Sequence, residues 1–181
     1  MRRASLALLA LAASLSACVP AGEAADAGYV AGDGTVTEWL PGDRGEVIEL
    51  TGVDFAGEAV DLADYRGTVV LVNTWYAACP PCRAEAPDLV AADARPDVQV
   101  LGVNGEDDAG TAQAFERNFG VEYPSIADGD RLALATLQGI VPLNAVPTTL
   151  VLDPEGRIAA RVIGRIDPST LDALIAAAAL T

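Results

Sequence analysis

The chain has 181 residues, about half of them hydrophobic, enough for one domain with a real core and too apolar for a disordered chain. Twenty-six Asp and Glu against 11 basic residues, all of them Arg, leave a net charge of −15, which argues against nucleic acid and against charge-driven binding to anionic lipid. There is no His, which removes His–Cys and Ser–His–Asp catalysis and every metal site that needs imidazole.

Residues 1–18, MRRASLALLALAASLSAC, carry Arg2 and Arg3, then an apolar Leu/Ala run, then small residues. This is the layout of an export signal, and the run is shorter than the roughly 20 residues of a spanning helix. Leu15-Ser16-Ala17-Cys18 resembles the lipobox of bacterial lipoproteins, which implies cleavage after residue 17 and lipidation of Cys18. A plain signal peptide with an incidental cysteine and a short membrane anchor are the alternatives. Residues 18–45, rich in Ala, Gly and Asp, read as a flexible tether of about 30 Å root-mean-square span. The lipid anchor would hold residues 46–181, the folded domain, just outside the cell membrane.

Within that domain VIEL (47–50) and EAVDL (58–62) flank a Gly-containing turn and predict an N-terminal β-hairpin. TVVLVNTW (68–75) is a continuous apolar run, expected to be a central strand buried on both faces. A helix is expected from Pro80 to Asp93, with proline in its first turn and a kink at Pro87. VQVLGVN (98–104) predicts a second buried strand, and 109–119 a helix that stops at Gly120. Ile126 falls in a short strand and 129–138 in a short helix. TTLVLD (148–153) and RIAARVIG (157–164) form a hairpin about DPEG, and a closing helix over 168–180 follows the cap Asp167. The alternation implies an α/β sheet with some antiparallel strands, whose ligands bind at strand C-terminal ends. Cys79 lies at such an end.

Cys79 and Cys82 are separated by Pro80 and Pro81 at a helix start. A zinc site would need about four ligands, and only Cys18 remains as a thiol. A structural disulfide would close too short a loop to remove much chain entropy. The spacing suits redox work, with Cys79 attacking a substrate disulfide as the more exposed sulfur and Cys82 resolving the mixed disulfide. The prolines lack N–H groups, so the Cys82 N–H is the main local donor left for the first sulfur. With Glu85 and Glu106 nearby, this disfavours the thiolate and favours a reductant, with a potential nearer about −270 mV than about −120 mV.

Asn73-Thr74-Trp75, then Cys79-Pro80-Pro81-Cys82-Arg83-Ala84-Glu85-Ala86-Pro87, then Ala145-Val146-Pro147-Thr148-Thr149 before a strand, resemble the TlpA/ResA-like branch of thioredoxin-fold proteins over roughly residues 46–180. The resemblance implies a thioredoxin-like α/β fold: a mixed central sheet flanked by helices, with an N-terminal β-hairpin and a short insertion. It implies that Pro147 is cis and faces the cysteines, that Val146 offers backbone groups to an extended substrate, and that Glu106, or else Asp107, accepts the resolving thiol's proton. Many relatives carry Trp where this chain has Ala78, so Trp75 or Tyr76 would partly replace that contact.

The implied activity is thiol–disulfide exchange without a cofactor or metal. The partners are protein disulfides, for example those of apocytochrome c during cytochrome c maturation, and a membrane electron donor upstream; the chain is expected to be a monomer. A thiol peroxidase is a rival, although relatives of that kind have Thr or Ser where Tyr76 stands. A copper carrier lacks its spacing and its His here. A non-catalytic binding module with a fixed disulfide is the remaining rival.

Overall fold

The computed structural model describes residues 29–31, 34–142 and 144–180. The signal segment and Cys18 lie outside them.

Among the described residues, nine strands and four α-helices follow in chain order: β1 (Tyr29–Ala31), β2 (Gly34–Glu38), β3 (Thr51–Val53), β4 (Ala59–Asp61), β5 (Val69–Thr74), α1 (Pro80–Asp93), β6 (Val98–Asn104), α2 (Ala109–Phe119), β7 (Ser125–Ala127), α3 (Leu132–Thr136), β8 (Thr148–Leu152), β9 (Ile158–Ile163) and α4 (Pro168–Ala178). Seven strands form one mixed sheet in the order β1-β2-β9-β8-β5-β6-β7. β5, β6 and β7 are parallel, while β8 runs antiparallel to β5 and to β9. β3 and β4 form the expected separate hairpin. Its turn closes where the Asp54 carboxylate accepts the N–H groups of Ala56 and Glu58, so the arms start later than the 47–50 run suggests.

β5 explains why its sequence is apolar without alternation. Val69 and Leu71 join a core beneath α1 and α4, with Leu89, Val100, Leu174 and Ile175. Val70 and Val72 join a second core on the other face, with Leu62, Leu101, Leu137 and Leu150. Every side chain of β5 is buried, as a strand covered on both faces requires. As expected, Asp167 accepts backbone N–H groups at the start of α4 and Gly120 ends α2 in a left-handed conformation; Asp108 caps the start of α2 in the same way. β7 and α3 lie between α2 and β8. α3 is shorter than the expected 129–138 because residues 128–131 form a turn: the Asp128 carboxylate accepts the N–H groups of Ala133 and Leu134, each at 2.8 Å.

The tether expected over residues 18–45 needs correction. β2 adds to the sheet along β9, pairing Thr35 with Ile163 and Glu38 with Ala160, and β1 pairs with β2. Arg44 is buried and forms an ion pair with Asp153 at 3.0 Å, donating as well to the carbonyls of Ala177 and Ala178 at the end of α4. The folded unit therefore starts before residue 46. The physical reason is that β2 has a single buried apolar side chain, Val36, and draws its order from a strand more than 120 residues away in sequence.

Candidate active site

β5 delivers the chain to the C-terminal edge of the sheet, where a loop leads into α1. Cys79 is the cap residue of α1 and Cys82 lies in its first turn; the two form a disulfide with Cα atoms 5.3 Å apart. Pro80 and Pro81 donate nothing, and the Cys82 N–H points at the Cys79 sulfur at 3.2 Å, which makes it the local donor that would steady a thiolate there. Arg83 is turned away from the sulfur: it donates to the Ala77 carbonyl and lies over the Phe119 ring. Asp107 has a structural task. Its carboxylate accepts the Ala77 N–H at 2.6 Å and the Asn104 amide at 2.8 Å, pinning the loop that presents Cys79.

The expectation that Cys79 is the more exposed sulfur does not hold for the disulfide state. Cys79 is 1% exposed and Cys82 2%. Position, not exposure, distinguishes the two here.

The facing wall is the loop before β8. The Val146–Pro147 peptide bond is cis, and the Val146 carbonyl oxygen lies 3.9 Å from the Cys79 sulfur. Thr148 anchors this loop on both sides: its N–H donates to Thr74 Oγ1 and its hydroxyl to the Ala145 carbonyl. Among the described residues, Val146 makes no backbone hydrogen bond, which leaves its N–H and C=O available to an extended segment.

Trp75 and Tyr76 differ in kind. Trp75 is buried, donates to Ser125 Oγ at 3.1 Å and packs on Phe115 with ring centroids 4.5 Å apart. It supports the site from below and does not form a surface platform. Gly102 makes this possible, since a Cβ there would lie 2.1 Å from Ser125 Oγ and 2.7 Å from the indole nitrogen. Tyr76 is half-buried against the same cluster.

Two acids must be distinguished. Glu106 is half-exposed and pairs with Arg131; it shares a cavity wall with Trp75 and Val146. Glu85 is fully buried on α1, one turn past Cys82. It accepts hydrogen bonds from Asn73 Nδ2 at 2.9 Å and from the Ile166 N–H at 3.2 Å. Burial pushes its carboxyl up to about 7, against the lowering effects of those two donors and of nearby Arg165. The sequence reading placed Glu85 near the pair only as a repelling charge. Its spacing held a further signal: Cys82, Glu85, Ala86 and Leu89 recur at helical intervals, which puts Glu85 on the inward stripe of α1.

Among the described residues, no cluster of three or more His, Cys, Asp or Glu is arranged to hold a metal ion. No helix among them is long and apolar enough to cross a membrane.

Residues 41–161 match the sequence profile of the AhpC/TSA family. Thiol-disulfide oxidoreductase ResA of Bacillus subtilis is 27% identical over 121 residues, 65% of this chain and 65% of that protein. The alignments with such curated relatives span between 51% and 68% of those proteins. Among solved structures, a secreted thiol-disulfide isomerase from Corynebacterium glutamicum superposes with a TM-score of 0.72 at 30% identity, covering 83% of this chain and 96% of the other. A DsbF homologue from Corynebacterium diphtheriae gives 0.69 at 31% identity, covering 82% and 96%.

Proposed function

Because the chain belongs to the AhpC/TSA family, in its ResA-like thioredoxin-fold branch, we propose that it is a thiol–disulfide oxidoreductase that reduces protein disulfides through Cys79 and Cys82. The observation that carries this reading is the Cys79–Cys82 disulfide at the mouth of α1, facing the cis Val146–Pro147 loop.

In the dithiol form the Cys79 thiolate attacks one sulfur of a substrate disulfide. That S–S bond breaks, one substrate sulfur leaves as a thiolate, and the other is held in a mixed disulfide on Cys79. Cys82 then gives up its proton and attacks the Cys79 sulfur. The second substrate thiolate leaves and the Cys79–Cys82 disulfide forms, so two electrons pass to the substrate. Glu85 is the better acceptor for the Cys82 proton: it is buried one turn away, and a carboxyl near 7 can take a proton and return it at neutral pH. Glu106, engaged with Arg131 at the surface, is the weaker candidate and Asp107 is committed to the loop. Val146 and Tyr76 border the surface along which an extended substrate lies, and Pro147 orients Val146.

The same proposal places the protein outside the cytoplasm, anchored through lipidated Cys18, with a membrane donor restoring the dithiol. Apocytochrome c is the substrate suggested by the family resemblance. Insulin reduction by the dithiol protein tests the activity. It should be abolished by Cys79→Ser, and Cys82→Ser should trap substrates as mixed disulfides. Peroxide consumption without insulin reduction would instead establish a thiol peroxidase. Mass analysis of the mature N-terminus tests the anchor: acyl chains on Cys18 are expected, and an unlipidated N-terminus elsewhere would refute it.

A further inference from the structure

The reductase reading leaves Arg131 unused, although the chain goes to some length to place it. Arg131 has φ +63°, and it is the one non-glycine residue among those described with a positive φ. That conformation costs an ordinary side chain about 1 kcal/mol or more. Its N–H donates to the Asp128 carbonyl, and the buried Asp128 carboxylate holds the following turn. Gly105 opens the path of the side chain, since a Cβ there would lie 3.0 Å from Arg131 Cδ and Nε. The guanidinium ends on the wall of a cavity of about 20 Å³ shared with Glu106, Trp75 and Val146, beside the loop that faces Cys79. One nitrogen, Nη2, bonds Glu106 Oε1, and the side chain remains about half exposed. The remaining donors of the fork are open to a second acceptor. In a chain of charge −15, this puts a cation where the general field would otherwise exclude an anionic substrate.

We propose that Arg131 is a specificity-determining residue of the substrate groove, admitting protein segments that carry an acidic side chain beside the reacting cysteine. The inference rests on the reductase reading above. A segment lying along Val146 with its cysteine at Cys79 brings the neighbouring residue over this cavity. An acidic side chain there joins Glu106 on the guanidinium or displaces it, and a basic one is repelled by Arg131. Glu106 competes for Arg131, so the two members of the pair act in opposite directions.

The test uses three disulfide peptides that differ only in Glu, Gln or Lys beside the cysteine. The second-order rate constant for reduction of each by the dithiol protein is measured. Arg131→Gln should lower the Glu-to-Lys rate ratio by about three- to fivefold relative to wild type, the size of an exposed charge pair. Glu106→Gln should raise the ratio by a similar factor, and Arg131→Lys should keep most of the wild-type preference. A ratio unmoved by Arg131→Gln, or moved the same way by both neutralising variants, overturns the proposal while leaving the reductase reading intact. Failure to reduce any of the three peptides defeats the reductase reading and this inference with it.

Discussion

Two carboxylates, Asp153 and Glu85, are entirely buried at opposite ends of the sheet, and the protein treats them oppositely. Asp153, just past β8, accepts from Arg44 at 3.0 Å, from the Arg157 side chain at 2.9 Å and from the Arg157 N–H at 2.8 Å. Burial raises its carboxyl, but these partners outweigh burial and hold it below the usual carboxylate range. Glu85, beside the disulfide, receives only two neutral donors, and burial wins. A fully compensated charge fastens structure, whereas an under-compensated one is poised to change its protonation state. The far end of the sheet is therefore a clasp that ties the N-terminal segment to α4, and the near end holds the carboxyl that the proposed mechanism uses for proton transfer.

The sharpest way to break this contrast is to remove the acid from the clasp. Asp153→Ala leaves Arg44 buried and unpaired and should destabilise the fold by about 3–5 kcal/mol in denaturant unfolding. The clasp also has a pH signature. A carboxyl whose folded pKa is depressed contributes stability present above its unfolded pKa of about 3.8 and lost as pH falls through the folded value. The deficit of Asp153→Ala should therefore narrow in strong acid.

Glu85 should behave with the opposite sign. Its pKa is raised, so its contribution is fully present below the unfolded value of about 4.5 and is lost as pH rises through about 7. Glu85→Gln should thus gain stability relative to wild type between pH 4 and pH 8, by up to about 3 kcal/mol on the scale of 1.36 kcal/mol per pKa unit. The same variant should slow resolution of the mixed disulfide and remove an inflection near pH 7 from its rate profile, whereas Glu106→Gln should leave that inflection in place. A flat stability difference across this range would mean that Glu85 is ionised throughout and belongs with Asp153.

A smaller effect is expected at the loop between β5 and α1. Asp107→Ala deprives the Ala77 N–H of its acceptor and should cost about 1–3 kcal/mol. It should also slow attack by Cys79 on substrates, with Asp107→Asn recovering part of both losses. The rim pair has the least effect on stability: Arg131→Gly removes an ion pair but relieves a positive φ, so unfolding free energy should change by less than about 1 kcal/mol.

Much of this molecule was legible in the sequence because its signals are local. The buried run 69–74, the cap Asp167, the stop at Gly120 and the cysteine spacing each lie within a few residues of what they specify. The cis bond before Pro147 was readable only through the family resemblance. What was missed depends on distant partners. β2 is four or five residues of ordinary polarity until β9 is beside it. The Arg44 clasp joins residues 109 apart. Glu106 was named through the family resemblance, and nothing local reveals that Arg131, 25 residues on, engages it. Burial of Glu85 was written in the helical spacing of α1, but a glutamate on an apolar stripe is easily taken for a solvated acid.

The central claim is that Cys79 attacks and Cys82 resolves. It is tested most directly by mixing the dithiol protein with a disulfide peptide in a single turnover and mapping the products by mass. Wild type should release both peptide thiols and end as the Cys79–Cys82 disulfide, and Cys82→Ser should stop with the peptide joined to Cys79. An adduct on Cys82 in Cys79→Ser that forms as fast as the Cys79 adduct, or a Cys79–Cys82 dithiol that reacts with no disulfide at all, would contradict it.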